Sequence, residues 1–265
     1  MSEKNKKSSV VAKLLDDARD QGALSPKSAL ALNVVDLGAQ IQAGLGVSVD
    51  DVESSEVVLV SMMPDDSGSI RYGGNAQLVR DGHNMVLDAL GQSRQSGDVF
   101  VHTRYLNGAV LYPYTSLDQA VRMDTHNYDP NLGTPLYDQT VVLLGTVIAK
   151  AQEFAQNGVP CRTVTLLITD GADAGSNRAD ASHVRALVED MLLAENHIVA
   201  AMGIADGSTD FRRVFRDMGI SDAWILTPGN SASEIRKAFQ VFSQSAIKAS
   251  QGGGFSKTAL GGFVN

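Results

Sequence analysis

The spacing of apolar residues changes character near residue 56. Ahead of that point it is helical. Val10, Val11, Leu14, Leu15 and Ala18 fall on one helix face and run out at Gly22. Ser25-Pro26 has the form of an N-cap with proline at the first helical position. Leu30, Leu32, Val34, Val35, Leu37 and Ile41 then carry a second helix towards Gly44 or Gly46. Residues 1–8 are polar and lysine-rich and are expected to be disordered. Together these form an N-terminal helical extension over 1–53, which either packs on the rest of the chain or presents a surface to a partner.

From Glu56 onward, apolar runs of strand length alternate with amphipathic helices. Strands are expected over 57–63, 98–106, 109–112, 163–169, 198–204 and 223–226. Helices are expected over 78–90, 136–155, 180–195 and 209–218, and after a cap at Ser231 on Ile235, Phe239, Phe242 and Ala246. Asn107-Gly108 marks a hairpin between the second and third strands. Residues 113–134 are polar and loop-like, with a short helix over 116–122. The alternation predicts an α/β fold with a mainly parallel central sheet, one antiparallel edge strand from the hairpin, and helices on both faces. It occupies 54–249. The tail, 250–265, is glycine-rich and expected to be flexible, with Phe255 and Phe263 as aromatics that could dock.

Composition narrows the function classes. A formal charge of −8 argues against general nucleic-acid or anionic-membrane binding. The single cysteine, Cys161, excludes an intrachain disulfide and reads as an inert buried thiol. No apolar signal core follows the charged N-terminus and no apolar run is long enough to span a bilayer, so the expectation is a soluble cytoplasmic protein. His83, His102, His126, His183 and His197 are scattered without metal-ligand spacing and read as surface or structural residues.

The chemistry gathers where strands end. In an open α/β sheet, ligands collect at the carboxyl edge of the strands. There the first strand runs through Pro64 into Asp65-Asp66-Ser67-Gly68-Ser69. Asp65-x-Ser67-x-Ser69 offers hard oxygen donors without thiolate or imidazole, which suits Mg²⁺, Mn²⁺ or Ca²⁺ better than zinc or copper. A second strand runs directly into Thr169-Asp170-Gly171, and Gly133-Thr134-Pro135 precedes the long helix with Thr134 at its cap. Asp65, Ser67, Ser69, Thr134 and Asp170 are thus candidate metal ligands.

With these motifs in this order, the chain resembles the von Willebrand factor A-like domain with a metal-ion-dependent adhesion site, over roughly residues 56–249. The resemblance implies a Rossmann-like fold holding one divalent ion, Mg²⁺ by preference with Mn²⁺ or Ca²⁺ as alternatives. Ser67, Ser69 and Thr134 would bind through hydroxyls, with Asp65 and Asp170 direct or through water. It further implies metal-dependent protein–protein binding without catalysis, in which a partner protein supplies an Asp or Glu to the ion. The lack of secretion signals favours the intracellular bacterial type, which serves beside AAA+ ATPases or in tellurite and stress responses. The alternative is a metal-dependent phosphoryl-transfer or hydrolytic enzyme on the same carboxylates, with Arg71 as its nearest cation.

Two departures from the family pattern stand out. Pro64 intervenes between strand and motif, and Asp66 adds a carboxylate that is expected to face solvent or the loop backbone and not the ion. Asp138 and Asp173 lie near the ligands in sequence but read as helix-terminus charges or supporting hydrogen-bond partners.

Overall fold

The computed structural model describes residues 3–33, 37–93, 96–251 and 261–263. Three helices come first: α1 (Glu3–Asp20), α2 (Pro26–Leu32) and α3 (Leu37–Leu45). They lead into β1 (Val57–Pro64), a short α4 (Gly68–Tyr72), α5 (Ala76–Gly91), β2 (Val99–Arg104) and β3 (Val110–Ser116). Then follow α6 (Leu136–Gln156), β4 (Cys161–Thr169), α7 (Ala181–Leu193), β5 (His197–Gly203), α8 (Phe211–Asp217), β6 (Ile225–Leu226) and α9 (Ala232–Ser250).

The sheet has six strands in the order β3-β2-β1-β4-β5-β6. All neighbours are parallel except β2 and β3, the expected hairpin. β1 and β4 lie at the centre and every residue of both is buried, which is why apolar residues follow one another without alternation over 57–60 and 166–168. The chain leaves β1 for β2 on one side and later returns to β4 on the other. The sheet therefore reverses its winding between β1 and β4, at the position where open α/β sheets form their binding crevice.

Helices cover both faces. α5 and α9 pack against each other, while α6 and α7 pair and meet β1, β4 and β5. α6 is buried nearly all round, including Thr140, Thr146, Lys150 and Gln152, because α1 and α3 close over its outer side. Close approach explains the tightness of that contact. A Cβ added to Gly145 would sit 2.8 Å from Leu32 and Ile41 side-chain atoms, and one on Gly44 would sit 2.6 Å from the Thr146 methyl. The extension thus packs on the sheet domain, with Val11, Leu14, Ala18, Leu32, Ile41 and Leu45 in the main core.

Three expectations need correction. The first helix begins at Glu3, inside the segment 1–8 expected to be disordered; its lysines and glutamate are good helix formers and extend the turn that buried Val11 anchors. The single helix expected from Pro26 to Gly44 is two, because α2 ends at Asn33, whose N–H turns back to the Leu30 carbonyl. α4 has no counterpart in the periodicity, since five residues are too few to show one. In the tail, 252–260 and 264–265 fall outside the described residues, whereas 261–263 lie against the turn that leads into β6. Among the described residues no single helix is long and apolar enough to cross a membrane.

Candidate metal centre

Asp65 and Asp170 leave the carboxyl ends of β1 and β4, neighbouring strands whose last paired residues are Pro64 and Ile168. Pro64 does not interrupt the approach. It ends β1 with its carbonyl accepting from the Leu106 N–H at 3.1 Å, and the Asp65 N–H continues the ladder to the Ile168 carbonyl at 2.9 Å. A proline at a strand's last position forfeits little, because the ladder resumes one residue later.

Asp65 is fully buried, and its carboxylate is held at both ends. One oxygen accepts the Ser67 N–H at 2.7 Å and the other the Thr169 hydroxyl at 2.6 Å. Its carbonyl accepts the Tyr128 hydroxyl. Ser67 opens α4, and its hydroxyl lies 2.8 Å from that of Ser69. Ser69 in turn donates to Asp170 at 2.5 Å. Four of the five candidate ligands therefore converge, with Ser67, Ser69 and Asp170 joined directly and Asp65 joined through the Ser67 backbone. Thr134 reaches the same rim by backbone pairing with Ala174, whose N–H donates to its carbonyl at 2.8 Å. Its hydroxyl lies 4.0 Å from where a Cβ on Gly171 would stand.

Thr134 is not the helix cap that its position suggested. The first turn of α6 is capped from the far side: the Ser176 hydroxyl accepts from Tyr137 and Asp138 at 3.1 and 3.0 Å, and Asp173 accepts from Tyr137 at 3.2 Å. Asp138 answers by accepting the backbone N–H groups of Asn177, Arg178 and Ala179 at 3.0, 3.1 and 2.7 Å. Both aspartates thus lock the loop after β4 to α6, as their supporting role predicts. That lock carries Thr134 and Asp170 to one place.

Asp66 turns away from this group. One of its oxygens accepts both the backbone and side-chain N–H of Asn107 at 2.9 Å, and its carbonyl accepts from Asn131 and Leu132 at 3.0 and 3.1 Å. The hairpin turn is thus an anchor for the metal loop.

Electrostatics set the centre apart. Burial pushes the Asp170 carboxyl up to about 6, and the charges of Asp65 and Asp206 add to the rise. Asp65 is likewise raised, chiefly by burial, against the lowering effect of Ser67 and Thr169. The group is rich in negative charge and hard oxygens, and burial disfavours that charge until a cation meets it. Two buried carboxylates and three hydroxyls fit a small divalent ion that prefers oxygen and retains water. Among the described residues no cluster of three or more His, Cys, Asp or Glu side chains forms a metal site, so the hydroxyls would have to complete the shell.

Several contributors escaped the sequence reading. Thr169 adjoins Asp170 and could have been singled out as a strand-end hydroxyl. Tyr128 lies in the long polar loop, where nothing marks it. The histidines behave as structural groups: His83 meets Thr103 and Tyr112 at 3.1 Å, and His197 meets Thr163 at 2.7 Å. Cys161 is buried, and burial pushes its thiol up to about 12.

No protein-family model and no curated protein sequence matches the chain. Solved structures do resemble it. The pilus adhesin SpaC from Lactobacillus rhamnosus GG, in its open conformation, superposes over 74% of this chain with a TM-score of 0.50 and 16% identity. Proximal thread matrix protein 1 from the mussel byssus, with a zinc-occupied MIDAS motif (the metal-ion-dependent adhesion site), superposes over 72% with a TM-score of 0.51 and 15% identity. The chain spans only 30% of the adhesin's length and 46% of the byssus protein's.

Proposed function

From the von Willebrand factor A-like fold of this chain, we propose that it is a metal-dependent protein-interaction module, with Asp65, Ser67, Ser69, Thr134 and Asp170 around one divalent ion. The observation that carries the reading is the joining of Ser67, Ser69 and Asp170 beside a buried, doubly held Asp65 at the sheet's switch point. Mg²⁺ is the preferred ion from the donor set. An ion held there supplies an electrophilic position that an incoming carboxylate can fill.

The chain's own residues divide the work. Thr169 and the Ser67 N–H orient Asp65, and Asn107 keeps Asp66 out of the shell. Beyond the shell, Tyr72 at the end of α4 and Leu132 in the loop before Thr134 stand exposed at 91% and 54%. They offer apolar area around a charged centre, as protein interfaces do. Arg71, the cation nearest the motif, is paired with Asp129. That pairing favours binding over the phosphoryl-transfer alternative, which needs a cation free to clamp a phosphate.

Thermal unfolding tests the reading. The wild type is compared with Asp170→Ala in EDTA and in excess Mg²⁺, Mn²⁺ or Ca²⁺. An ion at 100 times its Kd stabilises by about 2.7 kcal/mol, a rise of about 5–10 °C for a domain of this size. Asp170→Ala should lose that rise. If no ion moves the wild-type midpoint, the metal-dependent reading is wrong. Ion-dependent turnover of a generic phosphoester that vanishes in Asp65→Ala would instead establish the enzyme.

A further inference from the structure

The edge of the sheet farthest from the hairpin carries a second recognition feature, independent of the metal centre. β6 is the edge strand, two residues long, and a 3₁₀ turn over Asp222–Trp224 leads into it. Residues 261–263 lie on that turn. The Phe263 N–H donates to the Ala223 carbonyl at 3.0 Å, and the Phe263 ring meets the Trp224 indole edge-on with centroids 4.9 Å apart. Gly262 between them has φ of +81°, and a Cβ there would sit 2.5 Å from the Ala223 Cβ and 2.6 Å from its carbonyl oxygen. The notch thus selects on three counts: a residue without a side chain, a backbone N–H, and an aromatic ring on the indole.

Those three requirements define a ligand class. One aromatic pair and one hydrogen bond make a weak peptide site unless the ligand is tethered, and here ten residues, 251–260, separate the segment from α9 along the chain. Tethering raises the effective concentration to about the millimolar range, which is enough to fill such a site. The sequence also holds the same Gly-Gly-Phe triplet at 253–255 as at 261–263, so the chain carries the recognised pattern twice.

We propose that the Ala223–Trp224 notch is a binding site for a Gly-aromatic peptide, and that its resident occupant is this chain's own 261–263 segment, held reversibly in cis.

Trp224 is the sole tryptophan, so its emission reads the site directly. The full chain carrying Phe263→Ala, kept in EDTA so that the metal centre plays no part, should show altered Trp224 emission and increased acrylamide quenching. The full chain with Gly262→Ala should behave the same way while leaving every aromatic in place. A synthetic peptide of residues 258–265, added to the Phe263→Ala chain, should restore the wild-type emission saturably. The same peptide with glycine 262 replaced by alanine should bind at least about tenfold more weakly. Unchanged emission in both variants, or a peptide that restores nothing at millimolar concentration, would overturn the proposal. Sedimentation completes the test: a monomeric wild type supports occupancy in cis. A wild-type dimer that Phe263→Ala dissociates would overturn that assignment and place the segment on a second copy.

Discussion

Two groups of buried polar side chains lie within this sheet domain, and they solve the problem of burial in opposite ways. Beside β2 and β3, His83 shares its Nε2 between Thr103 and Tyr112, while the Tyr112 carbonyl faces His102 Nδ1 at 2.8 Å. Burial lowers the two imidazoles to about 4 and about 3, so both stay neutral. At the strand ends, Asp65 and Asp170 are buried as carboxylates, and burial raises them instead. The first group is neutral and, apart from His102 Nε2, which is buried without a hydrogen-bond partner, it is paired, so it costs less to bury than charge does. The second carries charge that its own hydrogen bonds only partly compensate. A buried polar cluster that is neutral indicates architecture, and one short of positive charge indicates a ligand.

The comparison makes its largest prediction in acid. His83, His102 and His197 are held near 4, 3 and 4 in the folded chain, below the ordinary value of 6.5. The unfolded chain therefore binds more protons below pH 6.5, and folding stability must fall as pH drops from there towards 4. At pH 5 each histidine accounts for a loss of about 2 kcal/mol. Asp170 works in the other direction. Its folded value near 6 lies above the ordinary 3.8, so its contribution to the ion-free fold grows as pH falls through 6. Urea unfolding in EDTA between pH 7.5 and 5 should show the net decline, steeper in Asp170→Asn than in wild type. A flat profile in both would mean that the histidines are not held neutral.

Mutation separates the two groups at fixed pH. His83→Ala leaves the Thr103 and Tyr112 hydroxyls without their shared partner and opens a cavity, at a cost of about 2–4 kcal/mol. The rise in midpoint caused by divalent ion should survive, because His83 belongs to the architecture. Asp170→Asn should do the reverse. It keeps an oxygen for the Ser69 hydroxyl but removes a disfavoured charge, so the ion-free protein should gain on the order of 2 kcal/mol while the ion response disappears. An Asp170→Asn protein less stable than wild type in EDTA would show that the carboxylate is structural.

Much of this contrast was legible in the sequence, and the rest was not for definite reasons. The central strands could be read because β1 and β4, buried on both faces, leave unbroken apolar runs such as 57–60 and 166–168. The candidate ligands could be picked out because each follows a strand or precedes a helix. The burial of α6 could not, since it depends on Gly44 and Gly145 admitting α3, and glycines carry no periodicity. Nor could the support of Asp65 by Tyr128, a contact across 63 residues within a polar loop. The Asn107-Gly108 signal was recognised as a turn, yet its second task needed coordinates: Asn107 faces Asp66 across 41 residues.

Asp66 gives the smallest effect and the finest test of the contrast, because it is buried beside Asp65 yet is anchored on Asn107 and not on Ser67, Ser69 or Asp170. It is 6% exposed, and burial raises its carboxyl, while the Asn107 side chain and backbone pull the other way. One of its oxygens takes both Asn107 donors, leaving that oxygen no place in an ion's shell. An asparagine at 66 presents the same acceptor in the same position, since one oxygen suffices for both donors. Asp66→Asn should therefore shift stability by less than about 1 kcal/mol, and the midpoint rise with Mg²⁺ should match wild type. Asp66→Ala should differ: it abandons the two Asn107 donors, frees the hairpin turn from the metal loop, and costs about 1–3 kcal/mol. Ion affinity that falls in Asp66→Asn as far as in Asp170→Asn would place a third carboxylate at the ion. The division between satisfied and unsatisfied charge would then have been drawn at the wrong residue.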